Sequence, residues 1–112
     1  MSSFPKRGEI YWINLEPTVG AETKKIRPCL IISSDIGNEY SPLVMIAPIT
    51  SKVCKVYPFE VQVKVRNKMA KVMLNQARAL DKSRLGKKID VIDAEHIKQV
   101  EKAIKIVFGI ST

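Results

Sequence analysis

The chain has 112 residues, of which 46% are apolar and 27% charged, a composition that fits one globular domain over 1–112 with a modest core and excludes a disordered chain. No stretch approaches the roughly 20 apolar residues of a membrane helix and no signal-peptide run opens the sequence, so a cytoplasmic protein without membrane contact is expected. The net charge of +8 is concentrated: residues 61–88 hold nine basic residues (Lys64, Arg66, Lys68, Lys71, Arg78, Lys82, Arg84, Lys87 and Lys88) against Asp81 alone, while the rest balances ten against ten.

In chain order, "EIYWINL" (9–15) is rich in β-branched and aromatic residues and reads as a strand ending at Glu16-Pro17. "CLIIS" (29–33) is a continuous apolar run, the pattern of a strand buried on both faces. "LVMIAPIT" (43–50) is a third strand, with Pro48 marking a bulge or edge near its end. "FEVQVKV" (59–65) alternates strictly, with Phe59, Val61, Val63 and Val65 inward and Glu60, Gln62 and Lys64 outward. "KVMLNQARAL" (71–80) reads as one bent strand or two short ones, and Lys82–Lys88 as a short helical turn. Gly37-Asn38, Ser41-Pro42 and Tyr57-Pro58 supply turns. After Asp93, a predicted N-cap, Ile97, Val100, Ile104, Val107 and Phe108 make one helical face that Gly109 ends. The fold class is α+β, mostly β: a small curled sheet or barrel closed by a C-terminal helix.

Cys29 and Cys54 stand among apolar neighbours, without CxxC spacing, and are expected to be buried free thiols. His96 has no second histidine or cysteine near it, so neither a zinc site nor a two-histidine acid–base pair is expected, and no cofactor is implied. The basic 61–88 segment suits a polyanion and equally a solvated surface that maintains solubility. The remaining polar groups gather at strand ends: Glu22 and Arg27, Thr50 and Ser51, and Asn75-Gln76-Ala77-Arg78. Pro28 holds Arg27 in extended backbone. An arginine so placed suits a phosphate clamp, and equally a structural pairing with Glu22 or a backbone carbonyl.

The ordered series "RGEIYWINLEPTVGAE", "RPCLIIS", "DIGNEYSPLVMIAPIT", "YPFEVQV" and "NQARALDKSRL" resembles the MazF/PemK family of toxin endoribonucleases, from about Arg7 to Phe108. No single motif is specific; their order is. The resemblance implies an SH3-like barrel with small helices, a homodimer, and metal-independent cleavage of single-stranded RNA. It also implies neutralisation by a MazE-like antitoxin with an acidic, disordered segment, with DNA binding by the pair. It makes Arg27 and Thr50 the catalytic pair, stabilising charge as a ribose 2′-hydroxyl attacks phosphorus to leave a 2′,3′-cyclic phosphate and a 5′-hydroxyl. Glu22, in a 16–26 loop expected to be mobile, is the candidate base, because a guanidinium pKa above about 12 disqualifies Arg27. Lys24, Lys25, Ser51, Lys52, Tyr57, Phe59, Gln76 and Arg78 become candidate RNA contacts.

Two departures from the family pattern stand out. "TKKI" places two lysines and an isoleucine before Arg27-Pro28, where Gly or Gln is usual, and Asn75 stands where an acidic residue often precedes the glutamine. An alternative from another class is a CcdB-like toxin, which uses the same barrel to bind a topoisomerase and cleaves nothing.

Overall fold

A computed structural model of the protein describes residues 3–15 and 26–111. Its strands are β1 (Glu9–Asn14), β2 (Ile26–Ile31), β3 (Leu43–Thr50), β4 (Glu60–Val65), β5 (Lys68–Met73), β6 (Arg78–Asp81) and β7 (Leu85–Val91). The helices are α1 (Asp35–Tyr40) and α2 (Ala94–Phe108), and single 3-10 turns lie at Leu74–Gln76 and Lys82–Arg84. All strand pairs are antiparallel. The sheet runs β4-β5-β3-β2-β1-β7, and β6 pairs with β3 off that path. Its two end strands approach each other where the Arg66 N–H, at the β4–β5 turn, donates to Asp90 Oδ2 of β7 at 2.7 Å. The result is a half-barrel closed by the C-terminal helix α2, as the α+β reading expected.

The middle strands are apolar on both faces because they separate two cores. Leu30 and Ile32 point into one, with Ile10, Ala47, Ile49, Val61, Val63 and Val72, and α2 closes it with Val100 and Ala103. Cys29 and Ile31 point into the other, with Ile13, Leu15, Val44, Ile46 and Leu80. Burying each such Ile or Leu is worth about 1.5–3 kcal/mol, which makes β1–β2–β3 the firm centre of the molecule. Pro48 lies where β3 changes neighbour, between its β6 pairing (ending at Ile46) and its β5 pairing (starting at Ile49), a place that needs no continuous ladder.

Several expectations are corrected. β2 begins at Ile26, so Arg27 lies inside the strand opposite Ile13, and Pro28 opposite Trp12. The Gly37-Asn38 turn signal belongs to α1, which Ser34 caps through its hydroxyl to the Gly37 N–H. Only Lys82–Arg84 of the expected helical turn is helical; "LGKKIDV" is the edge strand β7, where lysines guard an exposed border. Gly86 is required there: a Cβ would lie 2.6 Å from the Trp12 carbonyl oxygen. Asp93 caps α2 and Gly109 ends it in the left-handed region (φ 68°) as read, but Phe108 faces out, 65% exposed. Cys29 is buried and free as expected, whereas Cys54 is exposed. Glu60 keeps the outward phase it was read in, opposite the buried Val61 and Val63, but its side chain is covered there by an ion pair with Lys71.

Candidate active site

Two strand ends build the site. β2 enters from Ile26, and Pro28 restricts Arg27 to extended backbone. β3 leaves at Thr50, two residues beyond Pro48. The half-buried Arg27 side chain reaches across so that its Nη1 donates to the Ile49 carbonyl at 3.1 Å, the peptide joining Ile49 to Thr50. Arg27 and Thr50 are thereby tied to the same backbone segment. The Arg27 Nε is buried with no partner among the described residues. Thr50 Oγ1 accepts the Lys52 N–H at 3.2 Å, an arrangement that leaves the hydroxyl hydrogen available to a second acceptor.

Both side chains line a cavity of about 550 Å³ in the gap between β1–β2 and the β4–β5 hairpin. Trp12, Ile26, Pro28, Met69 and Ile89 give it an apolar wall, while Arg27, Lys52, Arg66 and Lys68 supply four cations. Among the described lining residues there is no carboxylate and no imidazole. The site is therefore built to attract an anion and to donate hydrogen bonds to it, with an apolar surface beside it for a flat group. Among the described residues, no three His, Cys, Asp or Glu side chains gather as a metal site would require.

Of the residues singled out from sequence, Arg27, Thr50, Ser51 and Lys52 meet in this cavity. Tyr57 and Phe59 do not line it; they stack on each other at the far end of the 51–59 loop, ring centroids 5.3 Å apart and planes 2° from parallel. Gln76 is exposed, with its Nε2 donating to Met73 Sδ at 3.5 Å. Arg78 donates from Nη1 to the Leu15 carbonyl at 3.2 Å, away from the cavity. Glu22, Lys24 and Lys25, and the mobility expected of their loop, lie outside the described residues. Burial pushes the Cys29 thiol up to about 12, an effect the nearby charges of Arg27 and Arg78 only partly oppose. Sequence reasoning did not single out Trp12 or Met69, and named Arg66 and Lys68 only as members of the basic 61–88 segment. Trp12 was legible as the large outward position of an alternating strand, but the other three depend on a tight turn at Arg66-Asn67, both at positive φ (50° and 67°), that carries no glycine.

A family model described as the PemK-like, MazF-like toxin of type II toxin-antitoxin systems matches residues 6–108. The chain is 39% identical over 112 residues to a protein named Endoribonuclease MazF from Staphylococcus saprophyticus, with 96% of this chain and 93% of the relative covered. Its fold matches the crystal structure of MazF from Deinococcus radiodurans with a TM-score of 0.80 at 28% identity, covering 97% of this chain and all of that one (100%). It also matches a MazE–MazF crystal structure from the same organism with a TM-score of 0.76 at 25% identity, covering 98% and 100%.

Proposed function

The chain belongs to the PemK/MazF family of toxins of type II toxin–antitoxin systems, and from that premise we propose that it is an endoribonuclease whose Arg27 and Thr50 act together on one phosphate of single-stranded RNA. The observation that carries this reading is the sharing of one cationic cavity by these two side chains, with Arg27 anchored on the carbonyl that precedes Thr50. Attack of the ribose 2′-hydroxyl on phosphorus moves charge onto the non-bridging oxygens. The remaining Arg27 donors and the Thr50 hydroxyl share the cavity such a phosphate would enter, and donating to those oxygens is the kind of contact that accelerates the chemical step and not merely binding. The proton leaves the 2′-hydroxyl to a base, for which Glu22 is proposed; the described cavity lining offers no carboxylate or imidazole to compete for that role. The 5′-oxygen departs as a hydroxyl and the 2′,3′-cyclic phosphate remains.

Lys24, Lys25, Ser51, Lys52, Tyr57, Phe59, Gln76 and Arg78 are proposed RNA contacts around this centre. A MazE-like antitoxin with an acidic segment is the proposed protein partner, in line with the MazE bound in the D. radiodurans complex and with the cations at the cavity. A homodimer is proposed because exposed Ile106, Phe108 and Ile110, and likewise Ile36, Tyr40 and Leu43, need cover; a monomer mass by light scattering at micromolar concentration would overturn it. An RNA substrate places the action in the cytoplasm. The activity is tested by incubating the protein with mixed RNA in excess chelator and sequencing the ends. Defined fragments with 5′-hydroxyl and cyclic-phosphate ends are expected, and intact RNA together with gyrase inhibition would overturn the nuclease in favour of a binding toxin.

A further inference from the structure

The 51–59 loop leaves the site at Ser51 and returns at Phe59, and it is not held by regular structure. Beside a backbone bond from the Glu60 N–H to the Tyr57 carbonyl at 2.9 Å, it is held by a pair of charges under it. Lys71, on β5, is the cross-strand partner of Thr50. Its ammonium donates to the Lys55 carbonyl at 2.6 Å and to Glu60 Oε1 at 2.9 Å. That same Glu60 oxygen accepts the Tyr57 N–H at 3.0 Å. The Lys71 and Glu60 side chains are only 12% and 7% exposed, and Lys55 Nζ lies 4.8 Å from the centre of the Tyr57 ring. A buried pair of this kind adds little net stability, because desolvation offsets the attraction, and apolar residues of similar volume often do as well. Its distinctive property here is directional: it fixes one carbonyl and one N–H of an otherwise irregular loop.

We infer that Lys71 and Glu60 are positioning residues that fix the 51–59 loop so that the Tyr57 ring and the backbone groups around it select the RNA sequence cleaved next to Thr50. The inference rests on the nuclease reading above. The hydrogen bonds of the pair go to the Lys55 carbonyl, the Tyr57 N–H and each other, and not to the Arg27 or Thr50 side chains, so it acts on selection more than on the chemical step. Sequence-specific reading of unpaired RNA stacks a base on an aromatic ring and hydrogen-bonds its edge, and edge reading needs the loop backbone held in one place. Removing a single partner would leave the other charge buried, so the test is the double variant Lys71→Met/Glu60→Leu, checked for folding by circular dichroism. It is expected to cut a random RNA pool at a broadened set of sequences, to show a raised KM on the wild-type preferred sequence, and to keep kcat near wild type at saturation. In the RNA-free protein, the Tyr57 amide should lose hydrogen-exchange protection. Glu60→Gln in the otherwise wild-type chain, which neutralises the carboxylate but keeps an oxygen that can accept from both Lys71 and the Tyr57 N–H, should keep the narrow cleavage profile. A folded double variant with wild-type profile and wild-type Tyr57 protection would overturn the inference, whereas wild-type protein that cuts no RNA would overturn the nuclease reading itself. If the double variant does not fold, the wild-type protein decides: a Tyr57 amide that exchanges as fast as that of Val56 shows the anchor is not holding and overturns the inference.

Discussion

The centre of the sheet and the 51–59 loop meet at the same cavity, yet they are held in opposite ways. Cys29, on β2, lies between two packed cores and has no exposed surface. Cys54, in the loop, is exposed in a stretch whose fixed points are a few polar bonds. Arg27 shares its strand with Cys29, and Thr50 ends the strand beside it, so the chemical pair sits on the firm region while the proposed selecting groups sit on the adjustable one. Chemistry needs placement to a fraction of an ångström, whereas recognition of different RNA sequences needs a surface that can change without disturbing that placement.

The two thiols offer the sharpest probe of this contrast. At neutral pH a thiol raised to about 12 is thiolate about 10³ times less often than an ordinary one of pKa about 8.5. A maleimide reagent should therefore label Cys54 quickly and leave Cys29 untouched while the protein stays folded. Because the Cys29 pKa is raised, bringing the pH up to about 8.5, the usual thiol range, should still leave Cys29 unlabelled. Mass spectrometry of the labelled peptides checks this, and comparable labelling of the two would show that β2 opens as readily as the loop.

Next in size is the loss expected at the firm end. Arg27→Ala should lower cleavage by at least about 10²-fold with the fold intact, the scale on which one transition-state donor acts. Arg27→Lys should recover little, since a point charge cannot both hold the Ile49 carbonyl and fork onto a phosphate. Single-turnover rates on one oligonucleotide decide it; near-normal turnover in folded Arg27→Ala protein would remove Arg27 from the mechanism.

The same contrast explains what could be read before the fold was seen. β3, β4 and α2 were legible because each buries a face and packing enforces the period, as in the buried Val61 and Val63 of β4 and Val100 of α2. Arg27 and Thr50 were legible because Pro28 and the ends of apolar runs place them. The edge strand β7 was not, since no residue of it is fully buried and its lysines obey no packing period. Glu60 lies on the face alternation assigned it, but alternation says nothing of a cation waiting on the neighbouring strand, and Lys71 lies eleven residues away. Cys54 misled because its apolar neighbours Val53 and Val56 belong to a loop rather than a core. The cavity's far wall depends on the β4–β5 turn meeting β7, a long-range contact that no local pattern contains.

The smallest expected effect tests whether position on the firm part of the barrel implies indifference to sequence. Lys68 stands at the start of β5, exposed, and lines the cavity opposite Arg27's strand. Its backbone belongs to the regular β4–β5 ladder, paired with Val65, so the ammonium is delivered by sheet geometry and not by the loop. Such a charge contributes through the phosphate backbone and the counterions it displaces, which are the same for every base. Lys68→Ala should then weaken binding of uncleavable RNA by a similar modest factor for preferred and non-preferred sequences. The slope of log affinity against log salt should fall by about 0.7, the single-strand value for one phosphate contact. Tyr57→Ala is the matched comparison: a stacking loss of about 1–3 kcal/mol per base that leaves the salt slope unchanged and is larger on the preferred sequence, because the base held there is also read at its edge. Binding titrations at several salt concentrations, with two RNAs and both variants, separate the two behaviours. A loss at Lys68 that depends on sequence would move recognition onto the hairpin and end the division between a firm catalytic centre and a selecting loop.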